Sequence, residues 1–309
     1  MDSSSPRVLV LGGGVAGMAA AQTLDACGIT VQLVEQAESL GGKAFQWACM
    51  ATDSCQSCGA CLAAEMVART AALERTSVHL QQRLVSVETV NGRFEAHLEQ
   101  EGSGPIRADA ILLATGLTPF DPSPIEDLAY ASSEKVMTTV DLNAVLKNEG
   151  LSDILPDGRP PAIAFVQCVG SRNRELGCDY CSQVCCKTAI RQADRILHDL
   201  PDANISIFHI DLQVIGKVFR TQAANLAPRV QLHQGVPAKI LTDLEPDRLS
   251  IIRENAESGD REAIHFDLIV LATGLRPSEG SAALFDQLGV KPDQWGFLGG
   301  HQAQLPDRF

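Results

Sequence analysis

Residues 7–35 read RVLVLGGGVAGMAAAQTLDACGITVQLVE, and this stretch decides the fold. The aliphatic run from Arg7 to Leu11 predicts a buried strand, the glycines a tight turn, Met18 to Cys27 a helix, and Thr30 to Val34 a second strand ending at Glu35. Together they make one βαβ unit. Gly12, Gly14 and Gly17 form G-x-G-x-x-G, and each glycine has a reason. Gly12 permits the turn, Gly14 lets backbone approach a pyrophosphate, and Gly17 allows close packing of helix on strand. Val15 and Ala16 open the helix, whose N-terminal amides attract phosphate. Glu35 stands where a carboxylate accepts hydrogen bonds from a ribose hydroxyl. The stretch therefore predicts a dinucleotide site made of Gly12, Gly14, Val15, Ala16, Gly17 and Glu35.

Beyond this unit come Leu40-Gly41-Gly42-Lys43, a cysteine-rich stretch from Cys49 to Cys61, and a helical segment around Leu62 to Leu73. Val78 to Glu99 alternates like antiparallel strands about an Asn91-Gly92 hairpin turn. Ala110 to Ala114 reads as an apolar strand running into Thr115-Gly116. The prolines between Pro119 and Pro124 then mark a domain exit, because repeated prolines continue neither strand nor helix. A second cycle follows: a strand from Ala162 to Val166, a cysteine-rich loop from Cys168 to Cys186, a helix from about Lys187 to Leu200, and a strand from Ile205 to Ile210. It closes with Leu268 to Ala272 and Thr273-Gly274, so that ILLATGLTP in the first half is echoed by IVLATGLRP in the second. Two such halves predict an α/β protein of two Rossmann-like domains, the second inserted in the first. The expected boundaries are 1–122 with 278–309 for the first domain, and 123–277 for the second.

The chain has 309 residues, 45% hydrophobic and 20% charged, enough to bury a core in each of two domains. No apolar run approaches the roughly 20 residues that span a bilayer, and the short stretch after Met1 enters the glycine turn directly, so the expected compartment is the cytoplasm. A net charge of −13 argues against nucleic acid, whose phosphates need clustered cations. Ten cysteines in a reducing compartment point to metal or redox work more than to structural disulfides. Cys27, on the first helix, reads as packing, and the seven histidines show no paired ligand spacing.

Gly41, Gly42 and Lys43 after Glu35, together with Ala114-Thr115-Gly116, resemble the two-dinucleotide-binding-domain flavoproteins of thioredoxin reductase type. That resemblance implies FAD at the first glycine turn, with Ala114, Thr115 and Gly116 passing close to it. In pyridine-nucleotide-dependent members, the strand corresponding to Ala162–Val166 would run into a second G-x-G-x-x-G. Here it runs into Gln167-Cys168-Val169-Gly170-Ser171-Arg172, which disfavours a second pyrophosphate.

Cys168, Cys181, Cys185 and Cys186 stand there instead, spaced C-x12-C-x3-C-C. Thiolates grouped in fours select zinc or iron–sulfur clusters, and structural zinc sites usually come as two C-x2-4-C pairs, which C-x12-C-x3-C-C does not match. The alternative is that Cys185 and Cys186 are buried helix residues and Cys168 ends a strand. CVGSR, YCSQVCC, the helix Thr188 to Ala193, Asp211-Leu212 and Gly216-Lys217 are similar to the A-type subunit of heterodisulfide reductase, a likeness that covers nearly the whole chain. It implies a [4Fe–4S] cluster on Cys168, Cys181, Cys185 and Cys186, leaving Cys178 aside. It also implies an oxidoreductase acting with the other subunits of an electron-transfer complex, as a homo- or hetero-oligomer, in which the flavin bifurcates or merely transfers electrons. Because Cys185 and Cys186 are adjacent, a distorted first helical turn is expected.

Cys49, Cys55, Cys58 and Cys61 form a second group, C-x5-C-x2-C-x2-C, whose last three copy a ferredoxin run. Relatives of the A type carry a C-x2-C pair matched by Cys55 and Cys58. The readings are a second [4Fe–4S] cluster with Cys49 as fourth ligand, a redox-active Cys55–Cys58 dithiol, or a zinc knot. The family also continues past a Trp-Gly-Phe stretch, here Trp295-Gly296-Phe297, with a segment that returns to the flavin. The sequence ends at Phe309, so either a partner or second copy is expected to complete that pocket, or FAD is held mainly by the first βαβ unit.

Overall fold

A computed structural model describes residues 5–99, 104–148, 150–156, 158–254, 259 and 261–299. The last part of the expected first domain, residues 300–309, lies outside them. The chain divides into two compact units, one made of residues 1–47, 59–118 and 276–309 and the other of 48–58 and 119–275.

The first unit holds a four-stranded parallel sheet in the order Thr76–His79, Thr30–Val34, Arg7–Leu11, Ala110–Leu113. Beside it is an antiparallel sheet of Leu84–Val90, Arg93–Leu98 and Ile106–Ala108. One face of the parallel sheet buries Val10, Val31 and Leu33 with Met18 and Ala21 of the helix Val15–Ala26. The other buries Leu9, Leu11 and Val34 with Ala96 and Ala108 of the antiparallel sheet. The Asn91-Gly92 hairpin forms as expected, with both residues at positive φ (52° and 75°). The stretch from Val78 onward is not one antiparallel pair, however. Thr76–His79 pairs parallel to Val31–Val34, and a turn through Gln81 at φ 53° separates it from Leu84. The backbone amides of Gln81 and Gln82 bond to Ala37 and Glu35 there, which ends the first sheet before the meander begins.

The second unit repeats this plan. Its parallel sheet runs Gln231–Gln234, Asn204–His209, Ala162–Val169, Leu268–Thr273, Val136–Thr138, accompanied by an antiparallel meander of Ile240–Glu245, Arg248–Glu254 and Arg261–Phe266. The central strand is apolar on both faces, as a covered parallel sheet requires. Ile163 and Phe165 pack toward Ile190 and Ile196 of the helix Cys185–Asp199, whereas Ala164 and Val166 pack toward Ile251 and Phe266 of the meander. That helix begins two residues earlier than expected. Val184 acts as its N-cap, and its carbonyl accepts both the amide and the hydroxyl of Thr188. The first turn thus closes with a regular hydrogen bond, against the expected distortion.

The sequence boundaries put Cys49, Cys55 and Cys58 with the first domain. In the structure residues 48–58 pack with the second unit, because side chains of that unit take their backbone carbonyls.

Asp267 ties the central sheet edge together. It is almost fully buried, takes both arms of Arg159, and accepts the Ala162 amide at 2.8 Å. Burial pushes its carboxyl up, but these bonds outweigh burial and leave it below the usual carboxylate range. Asp267→Asn is expected to lower stability by about 2–3 kcal/mol, since it removes charged hydrogen bonds from a buried site. Because the folded-state pKa is depressed, this contribution is present above the unfolded carboxylate pKa of about 3.9 and is lost as pH falls through the folded value. Urea titrations at pH 7 and pH 3 check it: the gap between wild type and variant shrinks at the lower pH.

Candidate functional site

In the first unit, three glycine segments converge at the carboxyl end of the sheet. A side chain at Gly12 would meet the Ala114 carbonyl oxygen at 2.2 Å, and one at Gly17 would meet the Gly12 carbonyl oxygen at 1.8 Å. Both positions are closed to anything larger than hydrogen. Gly41 bridges to Gly14, and its amide donates to the Gly13 carbonyl at 2.9 Å. Gly42 comes so near that a Cβ on it would lie 3.0 Å from the Gly14 Cα. At Gly14 itself a Cβ would find only the Gly42 Cα, at 4.0 Å. Gly14 N-caps the helix Val15–Ala26, which has no side-chain cap and no acid in its first turn, so the amides of that turn are available to an anion.

Glu35 lies across this turn, one oxygen accepting the Gly13 amide at 2.6 Å and the other the Ala37 amide at 2.8 Å. Each oxygen keeps a further lone pair for a hydroxyl donor. Lys43 lies exposed on the short helix Gly42–Phe45, and Thr115 and Gly116 follow Ala114, with Gly116 at φ 73°. An open, amide-lined cradle beside a positioned carboxylate is what a dinucleotide needs.

In the second unit the carboxyl end of the central strand carries thiols. Cys168 sits at φ 64° where the register between Ala162–Val169 and Leu268–Thr273 shifts. Arg172 (φ 55°) and Gln183 (φ 58°) share this left-handed conformation, so the loop from 168 to 183 holds three non-glycine residues in a costly region. The loop is pinned by polar contacts: Ser182 Oγ lies 2.6 Å from Ser171 Oγ and accepts the Leu275 amide, and Tyr180 donates to the Leu275 carbonyl at 2.8 Å. Gly274 is required beside it, since a Cβ there would strike Ser171 Oγ at 2.1 Å.

Cys185 and Cys186 are the first two residues of their helix and both are buried. The four thiols lie within electrostatic reach of one another. Burial, then Cys186, pushes Cys168 up to about 11, with Cys181 adding to the effect. Cys185 hydrogen-bonds Cys186, which raises Cys185 and lowers Cys186, and Cys185 also senses Cys168 and Cys181. The Gln213 amide further favours the Cys186 thiolate, and Arg172, paired with Asp211, stands beside the group. Cys178 is turned elsewhere, donating to the Leu176 carbonyl at 3.4 Å with the Tyr180 hydroxyl at 4.0 Å.

Among the described residues, no three His, Cys, Asp or Glu side chains converge tightly enough for a single metal ion. A four-iron cluster binds one thiolate per iron and spreads its ligands wider than one ion does. One further observation fits a bound group: Gln167, next to Cys168, is completely buried and neither of its amide atoms has a partner. Leaving a buried polar group unsatisfied costs about 1–3 kcal/mol.

The second cysteine group is divided between the units. Cys49, Cys55 and Cys58 belong to the second, while Cys61 lies on the helix Ala60–Ala71 of the first. Arg191 donates to the carbonyls of Gln56 (3.1 Å) and Ser57 (2.7 Å), the two residues between Cys55 and Cys58. Gln222 also bonds Gln56, and Arg195 holds the Cys49 carbonyl at 2.9 Å. Sequence reasoning missed these clamps and Gln167. The available signals were the i, i+4 spacing of Arg191 and Arg195 on one helix, and a lone amide ending an apolar strand.

A dinucleotide cradle in one of two repeated α/β units defines an oxidoreductase of the two-Rossmann-domain class. The chain belongs to the pyridine nucleotide-disulphide oxidoreductase family, whose model matches residues 6–299. In that family the first glycine turn takes FAD, and the cradle built here fits it. The chain is 32% identical over 201 residues to the A-type subunit of the H(2):CoB-CoM heterodisulfide,ferredoxin reductase of Methanothermobacter thermautotrophicus, a match covering 62% of this chain and 30% of that protein. It is 24% identical to the second A-type iron-sulfur subunit of the CoB--CoM heterodisulfide reductase of Methanopyrus kandleri, covering 94% of this chain and 57% of that one. The likeness to the heterodisulfide reductase family read from CVGSR and YCSQVCC is thus borne out, while the chain spans 30% and 57% of the length of these two relatives. Among solved structures, Lactococcus lactis thioredoxin reductase superposes with a TM-score of 0.60 at 18% identity, covering 95% of this chain and 84% of the other, which establishes the fold. No helix among the described residues is long and apolar enough to cross a membrane.

Proposed function

We propose that the chain is a flavin- and iron–sulfur-carrying electron-transfer subunit of a heterodisulfide reductase-like complex, with Cys168, Cys181, Cys185 and Cys186 holding a [4Fe–4S] cluster. What supports this reading is the placement of Cys168 at the end of the strand Ala162–Val169 and of Cys185 and Cys186 at the start of the next helix, beside an unpartnered buried amide, where a nicotinamide-binding glycine turn would otherwise stand. When bound, FAD and the cluster supply two-electron and one-electron chemistry respectively. The protein's own residues orient and tune them. The amides after Gly14 would hold the pyrophosphate, Glu35 would accept from a ribose hydroxyl, and Ala114, Thr115 and Gly116 would flank the flavin. Arg172 and the N-terminus of the helix Cys185–Asp199 offset thiolate charge. The Cys55–Cys58 turn, clamped by Arg191, is a second redox station, as a cluster or as a dithiol. Electrons pass on to partner subunits.

Anaerobic purification followed by flavin, iron, sulfide and zinc analysis tests the reading. One FAD and four iron per chain are expected, eight if the Cys55–Cys58 station also holds a cluster. A colourless zinc protein would sink it.

The lack of a second glycine fingerprint gives a further expected result. Neither NADH nor NADPH reduces the flavin of the isolated chain in stopped-flow absorbance. Rapid bleaching by either would favour a self-sufficient disulfide reductase with Cys55–Cys58 as its dithiol.

A further inference from the structure

Gln167 is the one amide in the otherwise apolar strand Ala162–Val169, and among the described residues it is the only buried side-chain amide with both polar atoms unpartnered. Its direction follows from the strand. Ile163 and Phe165 pack on the face that also buries Cys185, Cys186 and Ala272, while Ala164 and Val166 pack on the opposite face. Alternation places Gln167 with the first set, beneath the helix start that carries the two adjacent thiols. The paired register with the neighbouring strand ends at Val166 opposite Phe208, so Gln167 stands just past it, at the carboxyl end of the central parallel strand, where such sheets hold their ligands. An apolar residue would fill the same space without loss, so the donor of this amide is explained by a guest that supplies an acceptor.

We propose that Gln167 is a positioning and tuning residue of the thiol site, its Nε2 donating a hydrogen bond to a sulfur of the group held by Cys168, Cys181, Cys185 and Cys186. This rests on the cluster reading above. Hydrogen bonds to cluster sulfur stabilise the more negative, reduced form, so the amide raises the potential. It also makes the site a liability when empty and an asset when filled, a combination that a purely structural amide does not show.

Gln167→Met and Gln167→Leu keep the volume and remove the donor. Each full-length variant is compared with wild type in two states: metal-free, by thermal melting, and anaerobically reconstituted with iron and sulfide, by metal content and a redox titration followed in the visible and by electron paramagnetic resonance. Metal-free variants are expected to melt at or above the wild-type temperature. Reconstituted variants are expected to load iron but to titrate at a more negative potential. A metal-free variant that melts lower, a loaded variant with the wild-type potential, or failure of both variants to fold overturns the inference while leaving the cluster standing. A wild-type chain that takes up no iron and sulfide overturns the cluster reading and this inference with it.

Discussion

Gly14→Val is expected to fold with nearly wild-type stability and to be purified without flavin. The backbone of Gly14 has φ −74° and extended ψ, open to any residue, and a Cβ there meets nothing closer than the Gly42 Cα at 4.0 Å. Replacing glycine by valine at an N-cap costs about 1 kcal/mol or less. The empty volume that tolerates the branched side chain is the volume a pyrophosphate needs, so flavin affinity should fall at least about a hundredfold, some 2.7 kcal/mol. Gly17→Val is the contrasting control. Its Cβ would sit 1.8 Å from a backbone oxygen, and that variant should fail to fold. Flavin content after gel filtration, alongside melting temperature, separates the two. Full flavin occupancy in Gly14→Val would remove the first glycine turn as the flavin site.

The second large effect concerns the thiols. Alanine at Cys168, Cys181, Cys185 or Cys186 is expected to abolish iron retention or leave a cluster that is lost on desalting, because each would remove one of the four ligands proposed above. Cys178→Ala should keep full iron while losing about 1 kcal/mol of stability, since that thiol is 2% exposed and fills a packed corner near Leu176 and Tyr180. Iron per chain across the five variants decides. Loss of iron in Cys178→Ala with retention in Cys168→Ala would mean the ligand set is misassigned.

The βαβ unit and its echo were readable because their signals are local: glycines at fixed offsets, apolar strands, and two Ala-Thr-Gly strand ends. The hairpin at Asn91-Gly92 was readable for the same reason. What sequence hid was long-range. That the segment 48–58 joins the second unit depends on Arg191 and Arg195, some 140 residues later, reaching its carbonyls. That Val78 belongs to the parallel sheet depends on its pairing with Leu33, while its own alternation matches the strands that follow. Gln167 carries no local mark of being unsatisfied. An amide in a strand reads the same whether its partner is a neighbouring side chain, water or a guest.

The strained loop bears on how this chain would drift under artificial selection. Cys168, Arg172 and Gln183 occupy a backbone region that glycine enters freely and other residues enter at about 1–3 kcal/mol each. A library screened only for heat resistance would therefore enrich glycine at these three places, and on the cluster reading proposed above the sturdier polypeptides would lose a thiol ligand at position 168 and the guanidinium beside it.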